Sequence, residues 1–241
     1  MTLQNKRIVI IGGSSGIGLA VAQAALREGA QVVIGSSRQT TVDGAIEKLG
    51  AGASGVVVDV TDEASVKAAF AGIGAFDHLA FTAGDWSGAG RGALAELDLD
   101  DARKVFAVRY WGALTVAKHA HGSMPPGGSI TLTDGMFAHR PGKGAVVTTS
   151  MLAAVEHLAQ GLALELAPIR VNCVCPGLIR TEVWNSIPAE QREERLHRMT
   201  SRQPLPRTGE PSEAAEAYLY LMRGGFTTGQ ILRVDGGSSI V

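Results

Sequence analysis

The feature that most constrains the fold of this chain is the repeated alternation of short apolar runs with longer segments of helical periodicity. Most of the apolar runs are continuous, which indicates strands buried on both faces of a sheet. The predicted strands cover residues 7–11, 31–35, 55–58, 78–81, 129–133, 170–174 and 231–234. The predicted helices include residues 16–28, 64–70, 102–120, 151–166 and 212–222. Repeated strand–helix units predict a three-layer α/β sandwich, in which helices flank a doubly wound parallel sheet of seven strands.

The composition indicates one domain over residues 1–241. Hydrophobic residues make up 45% of the chain and charged residues 19%, which is enough apolar material for one large core, and no linker or repeat divides the sequence. The formal net charge of −1 does not favour nucleic acid or an anionic membrane as a partner. Because the polar N-terminus has no signal-peptide pattern and no apolar run is long enough to span a bilayer, we expect a cytoplasmic protein that acts on small molecules.

Residues 182–207 depart from the strand–helix rhythm, because this stretch is charged and polar and ends with two prolines. One interpretation is a solvated pair of helices. The other is a lid over a substrate cleft, which its place directly after the carboxyl end of a strand favours, since ligands bind outside those ends.

The two cysteines, Cys173 and Cys175, lie two residues apart in a predicted strand. Their side chains then point to the same face of one strand, which is poor geometry for a disulfide. The sequence shows no partner ligands for a metal near them, so we expect buried free thiols and no metal.

A glycine-rich turn follows the first predicted strand and opens a helix. Its sequence is Gly12-Gly13-Ser14-Ser15-Gly16-Ile17-Gly18. Gly12 permits a tight turn, Gly16 lets the backbone approach a pyrophosphate, and Gly18 lets helix and strand pack closely, while the helix N-terminus offers free N–H groups. The turn therefore predicts a Rossmann-type dinucleotide site, with Ser14, Ser15 and Ile17 among its contacts.

The spacing Gly-x-x-x-Gly-x-Gly resembles that of the short-chain dehydrogenase/reductase family, and the resemblance runs nearly end to end. It includes residues 153–165, 169–172, 207–211 and 234–237. The family usually assembles as tetramers or dimers through its long helices, so the resemblance implies a homotetramer, with a dimer second. It also implies a set of further cofactor contacts: Asp59, Val60, Ala83, Gly84, Pro176, Gly177, Ile179 and Thr181.

The end of the second predicted strand bears on the choice of dinucleotide. An NAD-selective site usually places a carboxylate there to hold the ribose 2′-hydroxyl, and this chain has Ser36-Ser37-Arg38 instead. The serines are able to donate hydrogen bonds to a 2′-phosphate and Arg38 is able to pair with it. These residues favour NADP (NADPH) as cofactor; the alternative is that Arg38 is a solvated loop residue.

The positions that carry catalysis in the resembling family are altered here. Aligning residues 153–156 on the family pattern puts Thr148 at its tyrosine, Leu152 at its lysine, Gly135 at its serine and Arg109 at its asparagine. A threonine hydroxyl is far too weak an acid to replace a phenol whose pKa a lysine lowers. The chain therefore resembles a divergent branch that lacks the Ser/Tyr/Lys residues, and we do not expect ketone chemistry by the usual route.

The resemblance extends to a branch that uses an Arg and an Asp in these regions, which makes Arg109 and Asp134 the candidate catalytic residues. Asp134 is able to stabilise a cationic electrophile such as an iminium, or to act as a general acid if burial raises its pKa. Arg109 stays protonated and is able to anchor a substrate carboxylate or orient Asp134. The alternative is a structural ion pair, or two side chains that point apart.

His139 is a weaker candidate. The following side chains are candidates to line an apolar pocket, although packing is the better explanation for each of them: Trp86, Tyr110, Met136, Phe137 and Trp184.

Three functions remain open from the sequence. The first is an NADP(H)-dependent oxidoreductase with a non-standard active site, which transfers hydride to a small organic acceptor such as an imine, an iminium or an activated carbonyl. The second is a non-redox isomerase or cyclase in which the dinucleotide is structural. The third is a catalytically silent regulatory protein that binds NADP(H).

Overall fold

A single parallel sheet of seven strands forms the centre of the protein, with the order β3-β2-β1-β4-β5-β6-β7. The computed structural model describes residues 2–84 and 90–241. The strands are β1 (Arg7–Ile11), β2 (Gln31–Ser36), β3 (Ala53–Val57), β4 (His78–Phe81), β5 (Ser129–Thr133), β6 (Arg170–Pro176) and β7 (Ile231–Val234). The predicted Rossmann-type fold class is confirmed, and the predicted strands agree with these bounds to within about two residues.

Eight α-helices connect the described strands: α1 (Gly16–Arg27), α2 (Gln39–Leu49), α3 (Glu63–Ile73), α4 (Leu99–Phe106), α5 (Ala113–Ala120), α6 (Val146–Glu165), α7 (Ala189–Thr200) and α8 (Pro211–Arg223). The helix predicted over residues 102–120 is interrupted, because a π-helical segment, Ala107–Gly112, separates α4 from α5. The sequence analysis did not name α2, which buries only Val42 and Ala45.

The core has two halves, one on each face of the sheet. Apolar residues of α3, α5 and α6 pack on one face, and those of α1 and α8 pack on the other. Strands β4, β5 and β6 are buried along their whole length, although β5 and β6 also contain polar residues. The edge strands β3 and β7 are partly exposed, since each has a neighbour on one side only.

The strand order reverses between β1 and β4, which is where a doubly wound sheet opens a crevice for ligands. The two strands are parallel, with Ile11 opposite Phe81. The segments that leave their carboxyl ends stay in contact, because the Thr82 N–H donates to the Ile11 carbonyl at 2.8 Å. Gly12 and Ala83 therefore face each other across this crevice.

Residues 182–207 form a short 3₁₀ turn, Glu182–Ser186, and helix α7. Most side chains of α7 are exposed, apart from Leu196 and Thr200. Within residues 2–84 and 90–241, no helix has both the length and the apolar character needed to cross a membrane. Trp86, one of the aromatic residues suggested for an apolar pocket, lies outside the described residues.

Candidate functional site

The turn between β1 and α1 has a shape that only glycine permits at two of its positions. Gly12 has a φ of +89°, and a Cβ built there would lie 2.5 Å from the Ala83 nitrogen. A Cβ at Gly18 would lie 2.3 Å from the Gly12 carbonyl oxygen. Real Cβ atoms do not approach other atoms so closely, so these glycines bring the turn against β4 and hold α1 close to β1. The geometry matches the roles that the sequence suggested for both.

The first turn of α1 binds a carboxylate. The Gly16 N–H donates to Oε2 of Glu182 at 3.0 Å, and the Thr181 methyl lies 3.2 Å from the position of a Gly16 Cβ. Ser15, the N-cap residue, makes no side-chain capping bond, so α1 begins with free amides and the positive end of its dipole. This end of the helix therefore accepts an anionic oxygen, and Thr181 lies beside it as the resemblance implied.

The carboxyl end of β2 presents hydroxyl groups and no carboxylate. The Ser14 Oγ donates to Ser36 Oγ at 3.2 Å, and Ser36 Oγ lies 2.9 Å from Thr41 Oγ1. Ser37 and Arg38 are exposed, and Arg38 is the N-cap residue of α2. A negatively charged group at this position would meet hydroxyls and a nearby guanidinium.

Asp59 and Val60, the predicted adenine contacts, follow β3 and have different surroundings. The Asp59 carboxylate is exposed and accepts hydrogen bonds from the side chain and the N–H of Thr61, which lower its pKa. Val60 is buried, and its Cγ2 lies 2.8 Å from the position that a Cβ at Gly112 would take. Asp59 is therefore available at the surface, while Val60 supports the π-helical segment.

The remaining predicted contacts lie at the carboxyl end of β6. Pro176 is its last residue, and Gly177 and Ile179 line a small cavity of about 100 Å³ under residues 203–209. Gly177 needs its small size, because a Cβ there would lie 2.7 Å from the Asp235 Cα. The predicted contacts thus come from β1, β2, β3, β4 and β6, and all lie at the same edge of the sheet.

Arg109 is buried within the π-helical segment, with 5% of its surface exposed. Its guanidinium donates to the main-chain carbonyls of Asp134, at 2.9 Å, and of Thr133, at 3.4 Å. It also occupies the space beside Gly84, where a Cβ would lie 2.4 Å from Nη2. Arg109 therefore joins the segments that follow β4 and β5.

Thr148, Leu152 and Glu156 are spaced four residues apart and share the buried face of α6. Leu152 Cδ1 lies 3.5 Å from the position of a Cβ at Gly135. Leu152, which aligns with the family's lysine, therefore packs against Gly135, which aligns with its serine, and Thr148 lies one turn before Leu152 on the same helix face.

Asp134 follows β5 and is 1% exposed. Its side chain does not pair with Arg109, since the hydrogen bonds from Arg109 reach only its main-chain oxygen. The carboxyl group lies instead among His139, Glu156 and Cys175, and one donor atom from each of the four residues falls within 4.8 Å of the others. Burial, and next the neighbouring Glu156, raises the pKa of Asp134 to about 8. The sequence left open whether Arg109 and Asp134 form an ion pair or point apart, and in the structure the two side chains point apart.

Sequence reasoning did not single out Glu156 or Glu182, or the surroundings of His139. Glu156 could have been found, because it continues the four-residue spacing of Thr148 and Leu152. The contact of Glu182 and the surroundings of His139 could not have been found, since their partners, Gly16 and Arg233, are distant in the chain. Both cysteines are free and buried, as predicted. The expectation that they lack neighbouring ligand groups is wrong for Cys175.

Comparisons with known proteins agree in sequence and in structure. Residues 12–239 match the family model described as Enoyl-(Acyl carrier protein) reductase. The chain is 36% identical to the short-chain dehydrogenase/reductase ucsE of Acremonium sp, over 99% of this chain and 97% of that protein. A solved small-chain dehydrogenase in complex with NADPH has a TM-score of 0.85 at 35% identity, covering 99% of this chain and 100% of that one. The MalC reductase/Diels-Alderase from Malbranchea aurantiaca has a TM-score of 0.89 at 30% identity, covering 99% and 97%. The protein therefore belongs to the short-chain dehydrogenase/reductase family.

Proposed function

We propose that this protein is an NADP(H)-dependent oxidoreductase that transfers hydride to a small organic acceptor through a non-standard active site. The observation that carries the proposal is the turn after β1, where the glycines bring free helix amides to the crevice and an amide already holds a carboxylate oxygen. A pyrophosphate fits such a cradle. The similarity to a solved structure in complex with NADPH supports the same cofactor.

Residues of this chain would hold the cofactor at three points. Gly16 and its neighbouring amides would bind the pyrophosphate, and Glu182 would withdraw because its carboxylate competes for the same N–H. The hydroxyl of Ser36 and the guanidinium of Arg38 would bind the 2′-phosphate. Thr181 would lie near the nicotinamide end. When bound, NADPH supplies the hydride.

The acceptor is limited by what the chain offers beside it. Thr148 and Leu152 provide neither a phenol of lowered pKa nor a cation, so an acceptor that needs proton donation from a tyrosine is disfavoured. An iminium, a conjugated acceptor or an activated carbonyl accepts hydride more readily. Arg109 would orient the acceptor or bind its anionic group, and Asp134 would act as a positioning residue, because its main-chain carbonyl holds that guanidinium.

The hydride proposal is tested by following NADPH absorbance with a panel of cyclic imines and enones. We expect NADPH oxidation, and its loss in Arg109→Ala while NADPH affinity is largely kept. Asp134→Asn leaves the main-chain carbonyl that holds Arg109 in place, so it should keep most of the activity. Arg103→Ala, a change at an exposed arginine on α4, is the matched control and should keep activity. Activity that survives Arg109→Ala would remove Arg109 from the proposal, and NADPH binding without turnover would favour a regulatory protein.

The choice of NADP over NAD is tested at the end of β2. In Ser36→Asp a carboxylate would face the 2′-phosphate, and Coulomb repulsion of a few kcal/mol at about 4 Å predicts at least about tenfold weaker NADPH binding. NADH binding should be kept or improved. Calorimetry with both nucleotides measures the change. Equal affinities of the wild type for NADPH and NADH would contradict the assignment.

A second candidate function is a cyclase that uses the dinucleotide as a structural element. The similarity to MalC, described as a reductase/Diels-Alderase, favours keeping it. Product formation without NADPH consumption would distinguish this activity from hydride transfer.

The surroundings of the site are part of the proposal. We assign residues 182–207 as a substrate lid, which the bond between Glu182 and Gly16 supports because it closes this segment over the cofactor turn.

We also propose a cytoplasmic homotetramer. Two exposed apolar side chains, Trp111 of the π-helical segment at 57% and Leu164 of α6 at 85%, support an assembly through those faces.

A further inference from the structure

Behind the apolar surface of Gly135 and Leu152 lies a buried cluster of four potential metal ligands: Asp134, His139, Glu156 and Cys175. They come from the end of β5, the loop after it, the third turn of α6 and the end of β6. The proposed hydride transfer assigns no role to the last three. We propose that this cluster is a zinc site, with one ligand atom from each side chain.

The first argument is the state of the polar atoms. Asp134 is 1% exposed, and neither of its carboxylate oxygens has a hydrogen-bond partner among the described residues. His139 Nε2 and Glu156 Oε1 form an ion pair at 2.5 Å directly beside this carboxyl group. Buried polar atoms normally have a hydrogen-bond partner, so the Asp134 carboxyl group is the exception. One donor atom from each of the four side chains falls within 4.8 Å of the others, which is the arrangement of ligands around a cation.

The second argument is distance. A tetrahedral zinc with bonds of about 2.0 to 2.3 Å separates its ligand atoms by about 3.3 to 3.8 Å. The four donor atoms already lie within 4.8 Å of one another, so movements of about 1 Å complete the geometry. The contact between His139 and Glu156 would open by a similar amount.

The third argument is charge. With Cys175 as thiolate, two carboxylates and a neutral imidazole, the ligands carry three negative charges. Arg233 lies opposite Cys175 in the β6–β7 register, and its Nη2 is 3.2 Å from His139 Nδ1. Zn²⁺ and this guanidinium together balance the ligands. His139 Nδ1 carries the proton when Nε2 binds the metal, so it no longer accepts a hydrogen bond from Arg233. The guanidinium of Arg233, an exposed residue, would then move away from Nδ1.

The fourth argument is ligand chemistry. A thiol and an imidazole beside two carboxylates suit a borderline cation, whereas Mg²⁺ and Ca²⁺ prefer oxygen ligands alone. Met136 Sδ lies 3.8 Å from Cys175 Sγ and adds an apolar wall. This donor set favours zinc.

The site is tested on the whole purified protein with zinc and cobalt as probes, in the absence of NADPH and acceptor. We expect about one zinc per chain by elemental analysis after incubation with ZnCl₂ and dialysis, and a higher melting temperature with zinc. Cobalt should give tetrahedral visible absorption and a near-ultraviolet sulfur-to-cobalt band. No stoichiometric binding of either metal by the folded wild type would overturn the proposal.

Variants assign the ligands. Cys175→Ser should remove the sulfur-to-cobalt band and weaken zinc binding at least about tenfold, since loss of a direct ligand costs at least as much as loss of an outer-shell partner. Cys173→Ser is the matched control, equally buried on the same strand face but outside the cluster, and should keep both properties. His139→Ala, in a partly exposed loop, is a second variant that should weaken zinc binding similarly. An unchanged cobalt spectrum in Cys175→Ser would overturn the assignment.

These measurements need no hydride acceptor. A protein that binds zinc but does not oxidise NADPH contradicts only the proposed function, and one that oxidises NADPH without binding metal contradicts only the zinc site.

Discussion

Acid should destabilise this protein partly through His78, a buried imidazole at the start of β4. The residue is 6% exposed, and its Nδ1 lies 2.9 Å from Ser129 Oγ. Burial lowers the pKa of His78 to about 4, against 6.5 for an ordinary histidine. The neighbouring Asp77 raises this pKa, while Arg170 and Lys6 lower it further. Burial is the largest effect, so the folded protein keeps this ring neutral.

The magnitude follows from the difference in pKa between the two states. In the unfolded chain His78 binds its proton as the pH falls through about 6.5, whereas the folded protein stays neutral until about pH 4. The unfolded state therefore binds more protons across this window, and stability is lost as the pH falls. Each unit is worth 1.36 kcal/mol, so the loss reaches about 3 kcal/mol and levels off below about pH 4.

The assay is urea unfolding at about pH 7.5 and about pH 4.5, for the wild type and for His78→Gln. Other acidic groups titrate in both proteins. The loss of unfolding free energy between the two pH values is therefore compared between the wild type and His78→Gln, and the difference is the contribution of His78. We expect the wild type to lose about 2.5 kcal/mol more than the variant. His157→Gln, a change at an exposed histidine of α6, should behave like the wild type. Equal losses in the wild type and His78→Gln would refute the reasoning.

Two further predictions concern the cofactor turn and the core. Glu182→Gln removes a carboxylate that competes for the Gly16 amide at the positive end of a helix dipole, so NADPH binding should become about 2- to 5-fold stronger. A fluorescence titration measures this affinity, and unchanged or weaker binding would contradict the competition. Tyr218→Phe should lower the free energy of unfolding by about 1 to 2 kcal/mol, since the buried hydroxyl lies 2.6 Å from Thr133 Oγ1. Tyr220→Phe, at an exposed position of the same helix, should change the free energy of unfolding by less than about 0.5 kcal/mol. Equal losses of unfolding free energy in the two variants, measured by denaturant unfolding, would argue against a stabilising hydrogen bond between Tyr218 and Thr133.

The layered architecture could be predicted because its signals are local. Continuous apolar runs mark strands β1, β2 and β4, and their burial on both faces follows from the helices between them. The turn from Gly12 to Gly18 could be interpreted for the same reason, since its function depends on backbone geometry within one strand–turn–helix unit. Helix α2 was not named from the sequence, and it buries only Val42 and Ala45.

The candidate site was predicted only in part. The family alignment made Arg109 a candidate, and the structure shows it between the segments that follow β4 and β5. The direction of the Asp134 side chain needed the fold, because the carboxyl group turns toward Glu156 and Cys175 while the main-chain oxygen holds Arg109.

By itself, the sequence determined the sheet, the helix layers and the anion-binding turn, because periodicity and glycine placement act over a few neighbouring residues. Only the tertiary structure decided which distant groups meet. The contact between Glu182 and Gly16 spans 166 positions, and the cluster around Asp134 joins groups from two strands, a loop and a helix. Charge compensation between such groups depends on distance in space, which a linear sequence does not record.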